Sequence, residues 1–201
     1  MDQTHPYNGS LTAEQFLFYE IRIAAMYYVR GLKIEEAIER IKKDNLFQYP
    51  TERQVSRLAR ACYKRLDALG NEQLVHELAS APNEIAKQIN LYAVMRYNRL
   101  VWEFMIQVIG EKYRNQDMNF SRKDMNAFFS RLQAQDDSVA AWSDATITKI
   151  KSVLVRMLIE TGYLDGLKDT TLNPVFLCEE LERGIEANND YDALSAFNYF
   201  R

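Results

Sequence analysis

Apolar residues recur three and four positions apart through most of the chain, a pattern that predicts an all-α fold, a helical bundle of about eight to ten helices. Thr12 followed by Gln15 has the form of a capping box, and Phe16, Tyr19, Ile23, Met26 and Tyr27 continue at helical spacing until Gly31. A second amphipathic segment covers 33–43, with Ile34, Ala37, Ile38 and Ile41 on one face, and 45–50 breaks it. Thr51 and Gln54 open a third helix, 51–69, which Gly70 ends. A short helix over 72–79 and a break at Pro82 lead into 83–110, which is apolar almost all round and reads as one long core helix. Ser121 with Asp124 opens a helix through Leu132, and Ser143 with Thr146 opens another reaching Thr161. The stretch 163–177, with Gly166, Pro174 and alternation around Leu172, Val175 and Leu177, is where a short hairpin fits. Residues 178–187 and 191–200 read as terminal helices. The expected organisation is an N-terminal helical subdomain, 1–80, carrying the 51–69 helix, and a C-terminal one, 81–201, carrying the 83–110 helix and a winged-helix-like part over 121–177.

Composition agrees with chains that fold unaided. The 201 residues are 47% apolar and 26% charged, and a chain of this length buries roughly 70% of its unfolded surface. Seven Gly and four Pro beside ten Phe, twelve Tyr and two Trp exclude a disordered or collagen-like chain. Cys62 and Cys178 have no Cys or His at metal-ligand spacing and read as reduced thiols. The longest apolar stretch, 23–29, is closed by Arg22 and Arg30 and falls far short of the ~20 residues a membrane span needs. With no secretory pattern at the start, a cytoplasmic protein is expected, without contact to a membrane.

Charge sharpens this picture. The net charge is only −3, but residues 31–70 hold nine Lys or Arg against six acids, and 162–201 hold three against eight. On a wheel of about 100° per residue, Arg53, Arg57, Arg60 and Lys64 fall within about 60° of one another, opposite Val55, Leu58, Ala59, Cys62, Leu66 and Leu69. The row is roughly 16 Å long, comparable with several phosphates along one strand of a duplex. Arg65 and Lys43 lie nearby as further phosphate contacts, and Gln54 is the candidate for a base edge. A short helix, a turn and a basic amphipathic helix is the order of parts in helix-turn-helix proteins, although the 44–50 link is longer than usual. A solvated surface is the plain alternative. Lys149, Ser152 and Arg156 on the 144–161 helix form a weaker, secondary candidate.

Catalytic parts are scarce. No Gly-rich phosphate loop, Walker lysine or paired histidine appears, and His5 and His76 stand apart from any nucleophile. No enzyme activity, cofactor, metal or small-molecule substrate is expected. Asp136, Asp137 and Asp144 could gather a divalent ion, but helix capping and a solvated loop account for them better. Tyr92, Tyr97 and Trp102 could stack on bases, but apolar neighbours favour the core.

Several strings carry a resemblance. Asn45-Leu46-Phe47-Gln48-Tyr49-Pro50-Thr51-Glu52-Arg53, Lys87-Gln88-Ile89-Asn90-Leu91-Tyr92 and Tyr97-Asn98-Arg99-Leu100-Val101-Trp102-Glu103-Phe104 are similar to the BrxA family. So are Trp142-Ser143-Asp144 with Thr146-Ile147, Glu160-Thr161-Gly162-Tyr163-Leu164, and Leu172-Asn173-Pro174-Val175. The similarity spans roughly 14–200. It implies membership of a BREX (bacteriophage exclusion) system, a bacterial defence that marks host DNA by methylation and blocks phage replication. It further implies a small, all-helical, non-enzymatic protein that binds double-stranded DNA and works with other BREX proteins. No catalytic motif comes with the resemblance. A protein adaptor within the defence complex is the competing expectation, and RNA would suit an electrostatic row as well as DNA does.

Overall fold

The computed structural model describes residues 6–200; His5, with the rest of 1–5, and residue 201 lie outside the described residues. Among them the chain forms eleven α-helices and no strand. These divide into two units, one made of 16–97 and 178–189, the other of 6–15, 98–177 and 190–200. The division differs from the expected 1–80 and 81–201, and the reason lies in two local breaks.

The first unit holds α1 (Phe18–Tyr28), α2 (Ile34–Lys43), α3 (Glu52–Leu69), α4 (Glu72–Ser80) and α5 (Asn83–Tyr97). Thr12 does not cap α1. Its hydroxyl donates to the Gly9 carbonyl within a short 3-10 turn, and Leu17, left-handed at φ 54°, starts the helix at Phe18. Thr51 does cap α3, accepting from the Gln54 amide, and Gly70 closes that helix in the left-handed region at φ 60°. The apolar faces of α2 and α3 meet through Ile38, Ile41, Phe47, Val55, Leu58 and Ala59, with Leu17, Ile23 and Tyr27 packed against them.

α5 ends where the expected 83–110 helix is interrupted. Asn98 is extended, at φ −126° and ψ 109°, and its side chain accepts from the Leu100 and Val101 amides, so it caps a new helix. That helix, α6 (Arg99–Phe104), passes into a π-helical turn, Met105–Gly110, and then α7 (Glu111–Arg114). An asparagine able to satisfy two orphan amides makes the break, a local effect that apolar patterning does not register.

The second unit continues through α8 (Arg122–Gln135), α9 (Asp137–Ala140) and α10 (Asp144–Glu160). Ser121 and Asp124 open α8, as expected, and do so through a capping box, and Ser143 accepts from the Thr146 amide. Phe104, Phe120 and Phe128 pack edge to face, and Tyr163, fully buried, donates to the Ala196 carbonyl. At Gly110 an added Cβ would meet Ser195 Oγ at 2.6 Å, so a side chain has no room there.

The 163–177 hairpin, and with it the winged-helix-like part, does not form. The Leu172 amide donates to the Met118 carbonyl and the Phe120 amide to the Thr170 carbonyl, a single bridge between Asn119 and Thr171. The Asn173 amide turns back to the Tyr163 carbonyl, and Pro174 has no amide to extend a ladder. The chain then returns to the first unit as α11 (Glu179–Ala187), where Gly184 accommodates Leu74: an added Cβ would lie 2.5 Å from its Cδ1. The expected final helix is a 3-10 segment, Tyr191–Phe197.

Candidate nucleic-acid interface

α3 carries the candidate site because its two faces differ in what they touch. Val55, Leu58, Ala59, Cys62, Leu66 and Leu69 are buried, whereas Arg53, Arg57, Arg60 and Lys64 are exposed along the opposite side. Burial of one face fixes the rotation of the helix, and that rotation sends the four cations to solvent together. Thr51, Arg53, Gln54, Ser56, Arg57 and Arg60 line one concave surface at the start of the helix.

The start of α3 is anchored from behind. The Tyr49 hydroxyl donates to Glu20 Oε1 at 2.6 Å, and Glu20 on α1 is buried. Burial, the hydrogen bond and the nearby Glu20 charge push the Tyr49 phenol up to about 12, against a smaller downward pull from Arg57. The 44–50 link is therefore held on α1 at the residue two places before the Thr51 cap.

Carboxylates from neighbouring segments reach part of this surface. Arg60 Nη2 donates to both Glu35 oxygens, at 3.0 and 2.9 Å. Lys42 lies 3.8 Å from Glu39 and 3.7 Å from Glu52. Lys43, at the end of α2, is exposed.

Arg65 must be withdrawn from the set. It is 1% exposed, and its Nη1 donates to the Phe16 carbonyl at 3.0 Å, a carbonyl that also accepts from Asn90 Nδ2. The sequence held the signal for this: Arg65 lies seven residues after Leu58 and four before Leu69, on the buried face. What sequence reasoning missed altogether is Glu35, whose contact with Arg60 depends on how α2 packs against α3 and on no short-range spacing.

The other candidates are scattered. Lys149, Ser152 and Arg156 are exposed on α10, and the Ser152 hydroxyl donates to the Thr148 carbonyl. Asp136 accepts from the Ser138 and Val139 amides as the cap of α9, and Asp144 stands in the first turn of α10. The Ser138 hydroxyl above all, with the Val139 and Ser138 amides, holds the Asp136 carboxyl below its usual range against an upward push from burial. Among the described residues no group of three or more acids, histidines or cysteines could hold a metal. Tyr92 and Trp102 are buried and offer no stacking platform. No helix among the described residues is long and apolar enough to cross a membrane.

Known proteins match this chain over most of its length. Residues 5–189 match the BrxA family. A BREX protein BrxA from Bacillus cereus (strain H3081.97) is 33% identical over 162 residues, 81% of this chain and 80% of the relative. A BREX protein BrxA from Escherichia coli O9:H4 (strain HS) is 22% identical, over 93% of this chain and 87% of its own. The crystal structure of an uncharacterized protein from Magnetospirillum magneticum superposes with a TM-score of 0.81 at 21% identity, covering 95% of this chain and 97% of the other, and so shares the fold. The breadth of the family match, with a relative one-third identical, establishes that the chain belongs to the BrxA family of BREX phage-defence systems.

Proposed function

We propose that this protein is a non-enzymatic, DNA-binding accessory of its BREX system, gripping duplex DNA mainly through phosphates and working in the cytoplasm beside other BREX proteins. The observation that supports this is the exposed row Arg53, Arg57, Arg60 and Lys64 on one face of α3. Consecutive cations in the row are about 4.5–6 Å apart along the helix axis, close enough to follow a phosphate strand. Lys43 adds to the same field, and Gln54, half-buried in the first turn of α3, would serve for a base edge. Affinity in this arrangement comes from phosphates, which position a protein without reading sequence, so specificity is low. Lys149, Ser152 and Arg156 on α10 serve as a secondary contact.

Charge reversal tests the reading. Arg53→Glu with Arg57→Glu is expected to weaken binding to a short duplex at least about thirtyfold, while helicity and melting stay near wild type. Binding retained by that variant would reject this face.

A different observation favours the adaptor reading. Leu167 and Phe176, in the 163–177 stretch, are 72% and 81% exposed, and large apolar side chains in that state suit a protein partner. Chromatography of the whole chain with duplex DNA at low salt separates the two: failure to co-elute favours the adaptor.

A further inference from the structure

Within the row, Arg60 faces a carboxylate from α2, that of Glu35. A single guanidinium nitrogen, Nη2, is shared between the two oxygens of Glu35, and both side chains remain open to solvent, at 47% for Arg60 and 69% for Glu35. A carboxylate presenting two oxygens to a guanidinium takes the place in which two phosphate oxygens would sit. We propose that Glu35 occupies a phosphate position on the α3 row and competes with the nucleic-acid backbone for Arg60. The inference rests on the nucleic-acid reading above and adds a device that limits its strength.

The competition follows from charge and exposure. A phosphate reaching Arg60 must displace the Glu35 carboxylate or lie beside a like charge, and either weakens binding to every sequence alike. An exposed pair of this kind is cheaply broken, so Glu35 lowers affinity without closing the site. Several other acids around α3 have partners of their own. Glu36 accepts from the Lys33 amide at the start of α2, Glu39 and Glu52 share Lys42, and Asp67 accepts from the Tyr28 hydroxyl at 2.8 Å. Glu35 thus engages one cation of the row, Arg60, that would otherwise be ready to release a counterion.

The test compares full-length wild type with Glu35→Gln, Arg60→Gln and the double variant, binding one short duplex across a salt series. Glu35→Gln is expected to bind about three- to tenfold tighter near 0.1 M salt. The slope of log affinity against log salt should steepen by about 0.9, one further phosphate. In the Arg60→Gln background the same substitution should give much less gain, because the pair no longer exists. A wild type that binds with the same affinity and slope as Glu35→Gln overturns the role of Glu35 and leaves the row intact. So does a gain of undiminished size without Arg60, which would mark a diffuse charge effect. Binding by none of the four proteins overturns the nucleic-acid reading itself.

Discussion

α3 and α10 both bury an apolar face and both turn cations to solvent, but they do so at different densities. On α3, four cations follow one another at intervals of four, three and four residues. On α10, Lys149 and Arg156 are seven residues apart, and Ser152 between them spends its hydroxyl on the Thr148 carbonyl. The third basic residue of α10 that could have helped, Lys151, instead donates to Asn126 at 2.7 Å and covers the Phe129 ring. On the proposed reading, this density makes α3 the main phosphate contact and α10 the secondary one. What matters is how many cations share one face and how many of them the fold has already engaged.

Three perturbations bear on that contrast. The largest effect belongs to the seat of α3: Leu58, 2% exposed against the α2 core, should cost about 2–5 kcal/mol on truncation to Ala, measured by urea unfolding. A loss well under 1 kcal/mol would mean that the buried face does not fix the orientation of the row. Next comes the direct comparison in duplex binding. Lys149→Glu with Arg156→Glu should weaken binding no more than about fivefold, against at least about thirtyfold for the α3 reversal. Equal losses would erase the distinction between the helices. The smallest effect concerns the Tyr49 anchor. Its phenol is raised from the ordinary 10.0 to about 12, so the folded chain retains a proton that the unfolded chain releases. The sign is thus a stability contribution complete below pH 10.0 and lost as pH rises toward about 12. At this half-exposed site, solvent screening keeps it below about 1 kcal/mol. Urea melts of wild type and Tyr49→Phe from neutral to alkaline pH would reveal it, and parallel curves would show that the anchor does not titrate with unfolding.

Much of the fold was legible because its signals are local. Thr51, Ser121 and Ser143 cap where their spacing indicates, and α3 begins and ends within a residue of its expected bounds. The family resemblance in the strings around Asn45–Arg53 and Tyr97–Phe104 is matched by the family comparison over 5–189. The misreadings share a physical cause, in that a polar or backbone group found a partner the pattern could not foresee. Asn98 satisfies two amides and divides a run that looks continuous in hydrophobicity. The 170–172 stretch pairs with 118–120, far earlier in the chain, and leaves no hairpin. Of the site, the row on α3 followed from periodicity. Arg65 could have been assigned to the buried face by its register with Leu58, and Glu35 could not have been assigned without the packing of α2 on α3.

The salt dependence of duplex binding by the wild-type chain reads the number of phosphates that the α3 row meets. Three to four phosphates meeting the row of Arg53, Arg57, Arg60 and Lys64 give a slope of log affinity against log salt of about −2.7 or steeper. A slope shallower than about −1 would contradict a phosphate-tracking row on α3.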